Sequence, residues 1–298
     1  MATLTPSRPA PGSTRRADRR RPLRRRRSGR GPLRTVGLWA LVAGAFGPFV
    51  FVFYYMISTS LKSPLDITSP DFKWFFTPTL DNYRDVFERT DFAQFTMNSL
   101  FVGVGSVAIS LVVGLPAAFV IARYNAPKLA VLILSSRITP GITFLIPWFI
   151  IFSRMGWVDT YQALILVHLL VTLPMVTWLM ISFFEELPQE ILDSAQVDGA
   201  GVARTFWSIV LPTCKGGIAA SSILAFIFSW NHFMFSVVIA GRTTRTLPVA
   251  VFEFMSYGAI NWGAIAAAAT VMCLPVVVMA LFVQRHIVQG LAGGAVKG

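Results

Sequence analysis

The stretch FAQFTMNSLFVGVGSVAISLVVGLPAAFVIA, residues 92–122, runs through 31 positions without an Asp, Glu, Lys or Arg. As a helix rising about 1.5 Å per residue, it exceeds the roughly 30 Å of a bilayer's hydrocarbon layer. Outward from it, residues 36–60, 160–184, 216–241 and 254–284 are equally free of these four residue types. A sixth apolar stretch, 129–153, is interrupted only by Arg137. None of the six alternates apolar and polar positions as a barrel strand would, and in hydrocarbon every backbone N–H and C=O must be satisfied within the segment. The runs therefore predict an all-α polytopic membrane protein with six transmembrane helices, at about 36–60, 93–122, 129–153, 160–184, 216–241 and 258–284. Composition agrees: 54% of residues are hydrophobic and 13% charged, where a soluble domain carries about 25% charged residues.

The net charge of +12 is a property of one end of the chain. Residues 1–34 hold twelve Arg and one Asp, a net +11, and the remaining 264 residues are nearly balanced. A tail of this kind reads as a disordered cytoplasmic segment beside the first span, held inside by the positive-inside rule and drawn to anionic lipid. A role in binding phosphates is the alternative. The apolar run after it is longer than the roughly 7–15 residues of a signal-peptide core, so the first span is expected to stay as an anchor. Arg15–Arg16 faintly suggest a twin-arginine signal, but Ala17 and Asp18 follow where apolar residues are expected.

Six spans with the tail inside place both termini in the cytoplasm. Residues 61–95 become an outer loop whose Trp74, Phe75, Phe76, Tyr83 and Phe87 suit a membrane-surface layer. Residues 185–215 become an inner loop, 242–253 an outer one, and Arg285 to Gly298 an inner tail. Outside residues 1–34, six basic residues fall on inner segments and seven on outer ones, so the tail alone decides the orientation. Cys214 and Cys273 have no Cys or His cluster around them and read as small buried apolar residues, with neither a disulfide framework nor a metal site.

The inner loop, EELPQEILDSAQVDGAGVARTFWSIVLPTCK, is the most informative segment. Pro188 suits a first helical turn, and Ile191, Leu192, Ala195 and Gln196 can share a helix face. Gly199 offers a reversal, and Val202, Phe206 and Ile209 mark a second short helix that Pro212 ends. The run Asp193-Ser194-Ala195-x3-Gly199-x9-Ile209-x-Leu211-Pro212 resembles the EAA signature of ABC-importer permeases, E-A-A-x3-G-x9-I-x-L-P. Asp198-Gly199-Ala200 matches the D-G-A common in that motif, while Asp193 and Ser194 replace its first Glu and Ala. TLDNYRDVF (79–87), RITPGITFLIPWFIIF (137–152) and QRHIVQGLAGGAVKG (284–298) are similar to the carbohydrate-uptake branch, in the type of the smaller maltose permease.

The resemblance implies that residues 35–298 form an ABC-importer transmembrane domain of a bacterial inner membrane. The loop 185–215 would be the coupling-helix loop seated in an ATPase. Its residues Asp193, Ser194, Ala195, Asp198, Gly199, Ala200, Ile209, Leu211 and Pro212 carry that role over. The implied partners are a second homologous permease, two ATPase subunits and an extracytoplasmic sugar-binding protein. No cofactor is expected on this chain, with ATP and magnesium on the ATPases. The sequence has no G-x-x-x-x-G-K-[ST] phosphate loop.

Arg137 lies nine residues past Lys128, roughly 13 Å deep at 1.5 Å per residue. A central Arg costs about 2.5–3.5 kcal/mol on insertion scales, so it should face protein or water. It is either a pathway residue or one that snorkels or pairs within the bundle. Thr139, Trp148, Asn231 and His232 are candidates for holding a hydroxyl-rich solute, and interhelical hydrogen bonding explains the polar ones equally well. An ion-coupled secondary transporter typically needs a mid-membrane carboxylate, and none of the six spans has one. A membrane-embedded enzyme would need a catalytic carboxylate or metal cluster, and the acids of the outer loop show no ligand pattern. Neither alternative accounts for the loop 185–215.

Overall fold

The computed structural model describes residues 32–71, 73–138, 141–255 and 260–294, with side chains described except at 32–35, 89, 136–138, 253 and 283–294. The Arg-rich tail is thus almost wholly outside the described residues. Every regular element among the described residues is helical. The chain divides into two units, residues 1–50 and 51–298. What is described of the first is one helical stretch, exposed at every side chain from Val36 to Val50.

The elements run α1 (Pro32–Ser60), α2 (Pro64–Ile67), α3 (Asp81–Arg89), α4 (Phe92–Tyr124), α5 (Pro127–Ile138), α6 (Ile142–Met155) and α7 (Tyr161–Glu185). Then follow α8 (Gln189–Val197), α9 (Val202–Thr205), a π-helical turn (Phe206–Val210), α10 (Leu211–Thr213), α11 (Lys215–Trp230), α12 (Met234–Ile239), α13 (Leu247–Glu253) and α14 (Trp262–Gly294). By length and apolarity α1, α4, α7 and α14 can each cross a membrane, and a fifth span results if the pair 202–213 and 215–230, bent by 77°, is one. Six uninterrupted spans are not present among the described residues. The stretch 129–153 is divided between α5 and α6, and 216–241 between α11 and α12.

In the second unit, α4 and α7 lie side by side with α11 and α14 packed in turn. Phe119, Met180, Phe226 and Trp230 centre the main core. Ala264, Ala267 and Ala268 of α14 lie three and four apart, a spacing that lets a neighbouring backbone approach closely. The Trp230 indole N–H donates to the Met272 carbonyl at 3.1 Å, tying α11 to α14. A second cluster gathers Val102, Phe152, Leu164, Val167, Phe235 and Ile239.

The interior also holds polar side chains, several of them bonded across helices. Ser110 and Thr172 hydroxyls bond at 2.7 Å between α4 and α7. His168 Nδ1 and the Ser229 hydroxyl bond at 2.7 Å between α7 and α11, and Ser229 reaches Ser106 at 3.3 Å. In lipid, where apolar contact gives little preference for helix over acyl chain, such bonds and close packing hold helices together.

Candidate functional site

The loop between α7 and α11 is folded throughout. Pro188 stands one residue before α8, extended at φ −56° and ψ 129°. At the far end Gly199 adopts φ +77°, its N–H donates to Gln196 O at 3.0 Å, and the Ala200 N–H donates to Ala195 O at 2.9 Å. This pair of bonds is a Schellman closure, which requires a left-handed residue after the helix and therefore favours glycine. A methyl group at Gly199 would meet nothing within 4 Å, so the constraint there is conformational and not steric.

The loop has an inward and an outward side. Leu192 and Ala195 are buried, as are Thr205, Phe206 and Val210. Phe206 packs on Phe119 of α4 with ring centroids 5.2 Å apart, and Phe119 meets Phe184 of α7 edge-on at 6.0 Å. The loop is thereby keyed to one end of α4, and through Phe119 to the adjoining end of α7. Outward it shows Ile191, Val197, Val202 and Trp207, with Val197 88% and Trp207 67% exposed. Ile191 and Gln196, expected to share the face of Leu192 and Ala195, point to the exposed side instead, because the buried stripe is only one residue wide in so short a helix.

The expected coupling residues are distributed over these two sides. Asp193 is exposed and accepts from Gln189 Nε2 at 3.0 Å. Ser194 is exposed, and its hydroxyl donates to Ile191 O at 2.9 Å. Asp198 is exposed at the end of α8, with its N–H on Ser194 O. Ala195 is buried, and Ala200 and Leu211 are half-buried. The Ile209 carbonyl accepts the Thr213 hydroxyl at 2.6 Å, just before the 77° bend at Cys214, and Pro212 is exposed in α10. Cys214 is buried beneath the loop, and burial together with the nearby Glu186 carboxylate pushes its thiol up to about 11, so it stays protonated.

The pathway candidates do not form one site. Thr139 and the Arg137 side chain lie outside the described residues. Trp148 is half-buried against Phe152 at 5.0 Å. His232 stacks on Phe235 at 4.6 Å, and its ring lies 5.3 Å from that of His168. Asn231 is exposed, with its amide turned back onto Ile227 O at 2.9 Å. His232 and Trp148 thus border the second apolar cluster through Phe235 and Phe152, while Asn231 caps α11. The sequence reading passed over His168, Ser106, Ser110, Thr172 and Ser229. The signal available was two polar pairs four apart, Ser106 with Ser110 and His168 with Thr172, which share helix faces.

Away from the loop, the other end of the bundle is tied by Asp159. Its carboxylate accepts the N–H groups of Gly241 at 2.9 Å and Thr244 at 3.0 Å, and the Thr244 hydroxyl at 2.7 Å. Asn98 Nδ2 donates to Thr243 O at 3.0 Å and to Arg245 O at 2.8 Å, while its oxygen accepts from the Tyr161 hydroxyl at 2.7 Å. The turn before α7, the start of α4 and the segment 241–247 form one fixed end.

Long apolar helices, interhelical polar bonds and a folded amphipathic loop at one end define a multi-pass integral membrane protein. The family described as binding-protein-dependent transport system inner membrane component matches residues 38–293, and this chain belongs to it. It is a transport subunit, and in this family ATP hydrolysis lies on separate subunits. The chain is 35% identical over 263 residues to a probable ABC transporter permease, y4oR, of Sinorhizobium fredii, covering 87% of this chain and 93% of that one. It is 32% identical to the sulfoquinovosyl glycerol transport system permease SmoH of Agrobacterium fabrum, over 90% of this chain and 94% of that one. With the trehalose/maltose transport system permease MalG of Thermococcus litoralis it shares 31% identity, over 84% and 92% respectively. Its fold is similar to a chain in the crystal structure of a bacterial ABC transporter involved in import of the acidic polysaccharide alginate, at TM-score 0.68 and 19% identity, covering 85% and 94% of the two chains.

Proposed function

We propose that this chain is the pathway-forming permease of an ATP-driven, binding-protein-dependent sugar importer, working with a homologous permease and coupled to two ATPases through residues 185–215. The observation that carries the coupling assignment is the loop's two-sidedness. Phe206 packs on Phe119 of α4 and Leu192 joins the same apolar core, while Asp193, Ile191, Val197 and Trp207 stay outside for a partner. A lever needs both ends: a face for the ATPase and a rigid key into the helices that must move. Sugars as cargo are supported by relatives named for trehalose, maltose and sulfoquinovosyl glycerol transport.

In this reading residues 35–298 form the transmembrane domain with six spans, α5 with α6 as the third and α11 with α12 as the fifth. Both termini and the 185–215 loop face the cytoplasm. An extracytoplasmic binding protein delivers the solute, and ATP and magnesium bind the partner ATPases. Switching between inward- and outward-facing states requires ATP to bind one state better than the other.

The test is reconstitution of the complex co-purified with this chain, followed by uptake of labelled trehalose, maltose and melibiose. Asp193→Lys places a cation where a carboxylate faces the partner, and Gly199→Trp forces a bulky side chain into a left-handed turn. Both are expected to abolish uptake and ATPase association while the chain still inserts. Normal uptake by both variants would sink the coupling assignment.

A further inference from the structure

A cavity of about 350 Å3 opens between α2 and the start of α14, on the face opposite the 185–215 loop in the proposed topology. Ligand sites occupy roughly 300–1,000 Å3, so the volume suits a small solute. Its walls combine Ile67 and Ile260 with Thr68, Asn261 and the Trp262 indole, which is 53% exposed. Among the described residues, none lining it is charged. A phosphate or carboxylate ligand would find no counter-charge there, and an acyl chain would cover the two polar side chains without pairing them.

The polar groups are already sorted into one donor and one acceptor. Asn261 Oδ1 accepts the Ala264 N–H at 3.0 Å, which leaves the Asn261 NH2 to donate. The Thr68 hydroxyl spends its proton on Pro64 O at 2.9 Å, which leaves its oxygen lone pairs to accept. A donor, an acceptor and an aromatic face are what a neutral polyhydroxylated ring requires. Its C–H face lies on the indole, and adjacent hydroxyls give and take one hydrogen bond each.

The cavity is also held in shape. Asn82 is buried and donates from Nδ2 to Ser60 O at 3.0 Å and to Lys62 O at 2.8 Å, fixing the chain just before α2. The same side chain lies against Gly263, where a methyl group would fall on its oxygen. Ser63 caps α2 through the Asp66 N–H at 3.3 Å, and Asp66 pairs with Lys73 at 2.6 Å. A preformed site loses less ordering entropy on binding than a flexible one.

We infer that this cavity is an outer subsite for a pyranose ring, one that holds the sugar before it enters the spans. The inference rests on the sugar-importer reading and names a place on this subunit where the solute is met. The test uses the assembled importer in lipid nanodiscs without its binding protein, with trehalose and maltose as probes in saturation-transfer NMR. Native complex should show transfer to the sugar ring protons. The signal should disappear in Trp262→Ala, persist in Trp262→Phe and fall in Thr68→Val, which removes the acceptor at nearly constant volume.

In uptake assays with the binding protein present, Trp262→Ala should raise KM about fivefold to tenfold, as loss of an aromatic stacking partner does, with the maximal rate unchanged. No transfer in the native complex, or transfer and KM unmoved by both Trp262→Ala and Thr68→Val, overturns the subsite and leaves the importer standing. Failure of the native complex to take up any sugar overturns the importer reading and the subsite with it.

Discussion

Asp159 adopts φ +62°, a left-handed conformation that a short polar side chain tolerates better than most. Burial raises the pKa of its carboxyl, but the Thr244 hydroxyl and the Thr244 and Thr243 N–H groups outweigh burial and bring it down to about 2. A carboxylate whose folded pKa lies below its free value stabilises above the free value, 3.8, and ceases to as pH falls through the folded one. The latch is therefore expected to hold unchanged from neutrality to about pH 4 and to open only near pH 2. Asp159→Asn replaces charged-acceptor bonds by neutral ones at a half-exposed site, a loss of about 1–1.5 kcal/mol, so amides 241, 243 and 244 should exchange hydrogen about tenfold faster at neutral pH. Exchange that is the same in both proteins would assign the closure to Asn98 and to Ser99, whose hydroxyl accepts the Leu247 N–H at 2.8 Å, instead. At Gly199 the argument is shorter: Gly199→Ala keeps the space but strains the turn, costing about 1–2 kcal/mol. Faster proteolysis of the 185–215 loop would report it, and an unchanged rate would show the Schellman closure is not what orders the loop. Gly199 was legible in the sequence because its neighbours in the chain are its partners. Asp159 was not, because the groups that bind it lie more than 80 residues away.

The helices show the same division between local and distant causes. The sequence marks where apolar runs begin and end, and α1, α4, α7 and α14 follow those limits within a few residues at their described ends, α14 continuing to Gly294. What hydropathy does not register is a break within an apolar run. α11 stops at Trp230, with no proline there, where the Asn231 amide and N–H turn back onto Ile227 O. Pro116, Pro174 and Pro275, by contrast, lie inside continuous helices. Span counts by helix length fall short of six for this reason. The π-helical turn at 206–210 was equally invisible, yet it carries Phe206, the key between loop and bundle. Phe206→Ala removes a buried ring, a change that typically costs about 3–5 kcal/mol in a core. Here the loss falls on the joint, since Phe206 bridges the loop to Phe119. The expected outcome is uncoupling: the ATPases remain bound and hydrolyse ATP while uptake drops at least tenfold, and Phe206→Leu recovers part of it. Parallel loss of hydrolysis and assembly would mean that Phe206 only stabilises the loop.

For the molecule as a whole, orientation is the property on which the coupling assignment depends most, because a loop on the wrong face meets no ATP. Outside residues 1–34 the basic residues are almost evenly divided between the two expected faces, six against seven. The twelve arginines of the tail are therefore the only large asymmetry the insertion machinery can read. Two exposed positions report the faces: Phe75, 96% exposed in the segment between α1 and α3, and Val197, 88% exposed at the end of α8. In a background with Cys214 and Cys273 replaced by Ala, a membrane-impermeant maleimide applied to intact cells should label Phe75→Cys and not Val197→Cys. Inverted vesicles should give the reverse. Replacing the tail arginines by Gln should leave the proposed topology without its bias, so that both positions label in both preparations. Unchanged labelling would place the orientation signal within the spans and their short turns, and the tail would then be free for another role at the lipid surface. Labelling of Val197→Cys from outside in the native-tailed protein would be more serious. It would put the folded loop opposite the cytoplasm, and a lever keyed so firmly into α4 and α7 would have no ATPase to move it.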